Sequence, residues 1–405
     1  MKQLAVILAA FTIACGGGSG TSHEPVVRDS SGIRIVENSG PAWSDASRWR
    51  LSAEPVLTIG ADEAEPEYQL FGVRGVSRLS DGRIVLPNAG TQEIRWYGSD
   101  GSHLVTAGGQ GEGPGEFTGL GWLGVLAGDS IIAYDARQRR LSLFDPEGVF
   151  VRSSLIEIDR WAAMQYPVFS AVLSDGSLLA TGRLIDQQNM AEGPMLVPMA
   201  IYRYTQDGEG IDSLFDVPGW EASVVIRRSD QIVQMAVAGR PFGRSTRIGG
   251  AGDRVFIGTP STFEIRAHGL DGTLQSIVRV LRPLEPLTAG EIDAYKQQQL
   301  ELVEGDEALQ ARRRQLDELE YPSTKPAFGG VITEDARGNL WVQGFTATGF
   351  EAVQWTIFDR EYRMLGTVET PPRFAVSWIG DDLVLGVWRD EFDVEYVQGY
   401  ELIKP

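Results

Sequence analysis

One cysteine, three histidines and four lysines stand in a chain of 405 residues. So few thiols and imidazoles exclude thiolate zinc sites and histidine-rich redox centres. Basic side chains number 36 against 55 acidic ones, for a formal charge of -19. That excess excludes a nucleic-acid partner, whose affinity rests on clustered Lys and Arg neutralising phosphates. Beyond residue 15 no stretch approaches the roughly 18 uninterrupted apolar residues of a spanning helix. Apolar residues still make up 42% of the chain, which excludes general disorder.

The few unusual residues carry information by their position. Lys2 followed by the apolar run Leu4 to Ile13 and Ala14-Cys15 reads as a lipoprotein signal, although Thr12 stands where such signals usually carry leucine. Residues 1–14 are then the signal peptide, and Cys15 is the lipidated residue. Residues 15–31 form the tether, opened by the flexible stretch Gly16 to Ser22. The membrane is thus reached through a lipid anchor only. Gly16 is not the Asp that retains such proteins at the inner membrane, so by resemblance the outer membrane of a bacterial envelope is the expected address.

What the chain has in abundance is repetition. Val76 to Leu86 reads as strand, Asp81-Gly82 turn, strand; Glu93 to Tyr97, the Asp100-Gly101 turn and His103 to Thr106 complete a four-stranded antiparallel unit. First turns recur near 81, 128, 175, 252, 337 and 380, a unit of about 43–47 residues with two insertions of about 30–40. The fold expected is all-β: a six-bladed β-propeller over residues 32–405, with one helical insertion between blades four and five. The last unit offers only three strands, so the N-terminus should supply its fourth, from Ile33 to Val36 or from Pro55 to Thr58.

Phe71 to Phe117, and above all Gly108-Gly109-Gln110-Gly111-Glu112-Gly113-Pro114-Gly115-Glu116-Phe117, resembles the glycine-rich joint of NHL-type repeats. The mature chain resembles the six-bladed β-propeller lipoproteins of bacteria. That resemblance implies a fold whose members include lactonase-like, lyase and ligand-binding proteins, and fold alone settles no function.

Alternation of strands sends the tight turns to one face and the long connections to the other. The elaborated connections are Gly182 to Met199, Pro218 to Gly243 and Pro283 to Pro326. The last holds a helical insertion over about 288–320, opened by the capping box Thr288-x-x-Glu291; it reads either as a packing brace or as a lid. The elaborated face should carry Arg137, Arg139, Arg140, Trp161, Trp220, Arg227, Arg228, Arg240, Arg244, Trp388 and Arg389. Arg offers a planar donor fork and Trp a stacking face, suited to an anionic or carbohydrate-like ligand. The plainer reading of each Arg is an ion pair with the surplus carboxylates.

Nucleophile-histidine-acid catalysis is not expected, because His23 falls in the tether and His103 and His268 fall at tight turns. Calcium is implied only by the likeness to gluconolactonase-like proteins, with Asn88, Asp135, Asp390 and Glu391 as candidate ligands; as Asx and turn residues they have ordinary backbone roles too. The function expected is a lipid-anchored envelope module, more binding protein than enzyme, needing no cofactor. Its loop-rich face would bind an envelope protein or a small anionic or carbohydrate ligand. The alternative is a metal-dependent lactonase-like hydrolase or lyase with carboxylates at the channel mouth.

Overall fold

A computed structural model describes residues 23–60, 64–157, 167–183, 192–228, 233–347 and 351–405; for residue 45 and residues 225–228 and 233–236 it describes the backbone alone. Residues 1–22, over which a signal and the start of a tether are expected and which include Cys15, lie outside the described residues, as does Trp161. No described helix is long and apolar enough to cross a membrane.

The described chain is mostly β, arranged in six sheets taken up one after another along the sequence. The first holds Ser77–Arg78, Ile84–Asn88, Glu93–Tyr97 and His103–Gly108. The second holds Leu120–Val125, Ile131–Asp135, Arg140–Phe144 and Phe150–Leu155. The third holds Val168–Val172, Leu178–Arg183, Gly193–Tyr204, Gly210–Arg228 and Val233–Gly239. In the fourth, Arg247–Ala251, Arg254–Gly258, Glu264–Gly269 and Leu274–Val280 follow in order. Ile332–Glu334, Leu340–Gln343, Val353–Phe358 and Met364–Thr370 make the fifth. Phe374–Ile379, Leu383–Arg389 and Glu395–Ile403 make most of the sixth. Small consecutive antiparallel sheets of this kind give a β-propeller-like fold.

The turns explain why these segments pair as they do. Asp81 accepts the amide of Arg83, Asp100 that of Ser102, Asp175 that of Ser177 and Asp271 that of Thr273. Each Asp thereby imitates a turn with its own side chain, and Gly82, at φ 94°, supplies the left-handed step that side chains resist. Between the turns apolar residues fill the gaps between neighbouring sheets. Trp96 and Ile94 of the first sheet pack with Ile131 and Phe144 of the second, and Phe256 and Ile265 of the fourth pack with Leu340 and Phe358 of the fifth. A further cluster joins Leu385 and Val397 of the sixth sheet to Val76 and Ile84 of the first.

The two candidate N-terminal strands go to different places. Leu57–Ile59 pairs antiparallel with Val397 to Gly399 of the sixth sheet. Ile33–Asn38 instead runs parallel to Leu274–Val280 at the outer edge of the fourth sheet, and Val26–Ser30 lies outside it.

Two of the segments read as elaborated connections are largely strand. Gly193 to Val197 pairs with Trp220 to Val224, and Ala222 to Arg228 with Val233 to Gly239. The third sheet thus extends as a three-stranded ribbon beyond Arg183, at the end opposite the tight turns. The prolines hid this: the register slips between Val197 and Met199, so Pro198, which has no N–H, occupies the irregularity instead of breaking the ladder. Helices α1, Ala289–Glu301, and α2, Asp306–Glu318, form a hairpin between the fourth and fifth sheets. Thr288 and Glu291 cap α1 reciprocally. The hairpin leans on the foot of the ribbon through Phe242, whose ring lies 5.3 Å from that of Tyr295 and 6.3 Å from that of Tyr321. Burying one such ring contributes about 2 kcal/mol.

Candidate functional site

First strands of five sheets surround a cavity of about 370 Å³. Its wall is made by Arg74 to Arg78, Trp122 to Val125, Ser170 to Val172, Gly250, Ser377 and Trp378, with Pro87 behind them. Lining contributed by five separate sheets identifies it as the axial channel of the fold. The polar side chains of Arg74, Ser170 and Ser377 are exposed there, and no Asp or Glu belongs to the lining.

A second cavity, about 570 Å³, opens at the end of the strands opposite the tight turns. It lies among the connections of the first two sheets and is walled by Phe71 to Gly72, Ala89 to Gly90, Gln92, Thr118 to Gly121, Ala136 and Arg137. Arg74 lines both cavities, so it stands where the mouth meets the channel. Phe71 is 72% exposed, and its ring is seated against Gly90, where a Cβ would come within 2.2 Å of it.

Backbone geometry singles out this corner. Gly75 has φ 106°, yet a Cβ there would meet nothing nearer than Ser377 Oγ at 3.8 Å. Space does not demand glycine at this point; the left-handed turn of the backbone does. The kink falls between Arg74 and the strand Ser77–Arg78. Arg74 makes no side-chain hydrogen bond or ion pair among the described residues, its amide bonding the carbonyl of Pro87. Arg78, lower in the channel, stacks 5.8 Å from Trp378 and reaches the well-exposed Asp382 at 3.8 Å.

The candidates read from sequence are not gathered in one place. Arg137 lines the mouth, its side chain over Gly119. Arg139 is exposed beside it. Arg140 clasps the glycine-rich joint instead, donating to the carbonyls of Glu112 and Gly113 at 3.0 Å and to that of Glu116. Arg240 and Arg244 flank Glu221, and Arg240 also donates to the carbonyl of Glu320 beyond α2. They tie the ribbon to the helical hairpin. Trp220 lies on the ribbon under Arg183, 5.0 Å away. Trp388 packs on Tyr396, while Arg389 pairs with Glu395 at 2.6 Å. For Arg227 and Arg228 only the strand position is described.

The metal candidates hold backbone. Asn88 accepts the Phe71 amide at 2.7 Å and donates to Thr91. Fully buried Asp135 accepts four amides, from Thr118, Gly119, Arg137 and Gln138. These two residues end the second strands of the first and second sheets, and both latch the segment leading into a first strand. Asp390 accepts the amides of Phe392 and Val394 in a turn, and Glu391 is exposed. Among the described residues no group of three or more His, Cys, Asp or Glu side chains converges.

His103 bonds Thr106 and His268 the carbonyl of Gly272; burial lowers the pKa of His268. Elsewhere, at the seam of the fourth and fifth sheets, burial raises the Glu334 carboxyl from its ordinary 4.5 to about 7. Arg254, at 3.2 Å, opposes that shift without reversing it.

Sequence reading passed over Arg74, Arg78 and Phe71 because they sit in or just before the short first strand Ser77–Arg78 and not in a long connection. The signal present was the Gly72-x-Arg74-Gly75 spacing, two glycines around a cation at the start of a strand.

No family model and no curated protein matches the chain. Several solved structures are similar over most of its length. A protein described as exported, from Bacteroides fragilis, aligns at 13% identity and a TM-score of 0.49, over 91% of this chain and 100% of that one. A member of the duf4221 family from Bacteroides vulgatus aligns at 9% identity and 0.48, over 89% and 99%. Virginiamycin B lyase from Staphylococcus aureus aligns at 11% identity and 0.43, over 88% and 100%. No activity passes to this chain from them.

Proposed function

We propose that this chain is a lipid-anchored, NHL-like β-propeller of the bacterial envelope, with the outer membrane as its expected site, and that it binds a small ligand in its axial channel. The six sheets serve as six blades. Leu57–Ile59, paired to the last strand, and the apolar cluster between the sixth and first sheets support closure of the ring. Closure matters for function because it sets six first strands around one axis and leaves a cavity there that no side chain fills.

The observation that carries the binding reading is the pair of cavities sharing Arg74, whose lining includes the exposed side chains of Arg74, Ser170 and Ser377, which make no side-chain hydrogen bond among the described residues. The ribbon and the helical hairpin stand on the same face as the mouth and would shield an occupant or receive an envelope protein.

Two measurements test this. Cys15→Ser should move the full chain from the membrane fraction to the soluble one. Native mass spectrometry of the full chain, extracted in detergent from envelopes, should find one bound small molecule, lost in Ser170→Trp, which fills the channel from an exposed wall position. A chain carrying no adduct, or an adduct indifferent to Ser170→Trp, overturns the channel reading.

A further inference from the structure

Resting on the channel reading, the geometry points to a ligand class: we infer that the site takes a small organic anion, carboxylate or phosphate, whose acid group is held by Arg74 and whose ring lies on Phe71 at the mouth.

The first ground is charge. In a protein of formal charge -19, most places where Arg approaches another segment are matched by carboxylate. Arg203 meets Asp175, and Arg279 meets both Glu37 and Glu264. Arg74 departs from this rule: Arg78 below it reaches Asp382 at 3.8 Å, whereas the Arg74 side chain meets no carboxylate among the described residues, and no acid belongs to the lining. A cation in a narrow cleft with low-dielectric walls focuses its field outward through the mouth, raising the local concentration of anions. A bound carboxylate or phosphate supplies the acceptors that Arg74 lacks, and a guanidinium fork meets either in two parallel hydrogen bonds. Donor hydroxyls of Ser170 and Ser377 are exposed on the same wall.

The second ground is the shape of the mouth. Phe71 is 72% exposed as a residue, so an apolar side chain stands at the mouth with a face open to an occupant. Here it is fixed from beneath by Gly90 and lines the same cavity as Arg74. A ring stacked on its open face would be oriented with its substituent toward the cation. The positive φ of Gly75, which glycine adopts without strain, takes Arg74 off the line of the strand.

The test is isothermal titration of the full chain in detergent with inorganic phosphate, phenyl phosphate, benzoate and glucuronate, beside neutral phenyl glucoside. Saturable one-to-one binding by phenyl phosphate or by one of the carboxylates is expected, weakening as NaCl rises. Arg74→Gln should weaken it at least about tenfold. Phe71→Ala should weaken phenyl phosphate several-fold while leaving inorganic phosphate unchanged. Preference within the series decides between phosphate and carboxylate. If none of the anions binds at millimolar concentration, or Arg74→Gln binds them as the parent does, the inference fails. If phenyl glucoside binds, is blocked by Ser170→Trp and ignores Arg74→Gln, the anion class fails while the channel reading stands. Anion binding indifferent to both variants places the site elsewhere and overturns both.

Discussion

Arg203 and Arg74 are the same residue type put to opposite uses. Arg203 is 7% exposed, donates to Ser177 Oγ and to the carbonyl of Leu270, and is ion-paired with Asp175. Every donor is committed within the third and fourth sheets. Arg74 is exposed on the axis and commits only its backbone. Arg95, 4% exposed, repeats the first pattern with Glu93 and the carbonyls of Glu67 and Gln69. Number of arginines therefore says little about recognition; an arginine becomes available for a ligand only where the fold leaves its donors without acceptors.

The contrast can be broken in graded ways. The largest effect is expected at Asp135, a buried acceptor of the committed kind. Asp135→Ala takes the acceptor from four partly buried amides and should cost about 3 kcal/mol of stability in denaturant titration. The loss should be the same with and without added Ca²⁺; a loss that appears only with the ion would make Asp135 a ligand. Arg203→Ala should cost about 3 kcal/mol, since it removes a buried cation and leaves its acceptors unpaired.

Glu334 comes next, a committed group held imperfectly. Its folded carboxyl titrates at about 7, above the ordinary 4.5, so the native state binds the proton more tightly than the unfolded chain. The contribution to stability is complete below about pH 4.5 and is lost as pH rises through about 7. Asp253, Asp335, Arg254 and Arg360 all act on this carboxyl and Tyr362 bonds the same Arg254, but burial is the leading cause. Glu334→Gln should remove this dependence, gaining on the parent by about 3 kcal/mol between pH 4.5 and 8 in matched denaturant titrations. Parallel curves for the two proteins would contradict it.

The smallest effect on stability is expected where binding is affected most. Arg74→Gln should alter unfolding by less than about 0.5 kcal/mol. A loss comparable to that of Arg203→Ala would erase the distinction between the two arginines.

Much of the fold could be read directly. The turns near 81, 128, 175, 252, 337 and 380 all lie between the first and second strands of their sheets, because the Asp or Gly that makes such a turn is needed for local reasons. The ribbon of the third sheet was obscured, since Pro198, Pro218 and Gly219 interrupt the alternation by which strands are recognised. The site was the least legible part. Arg137 could be found from its place in a connection. Arg140 could not be told from it by sequence, although three residues separate a mouth arginine from one that clasps a joint. Arg74 was hidden because its distinction lies in what is missing around it, and the absence of an acceptor is a property of three dimensions.

The most direct test of the axial site is a crystal structure of the full chain grown with phenyl phosphate. The expected result is a phosphate within about 3 Å of the Arg74 guanidinium, enclosed by the first strands, with the phenyl ring over Phe71. A channel closed by its own side chains, or a ligand bound elsewhere with Arg74 turned to a carboxylate of the protein, would contradict it.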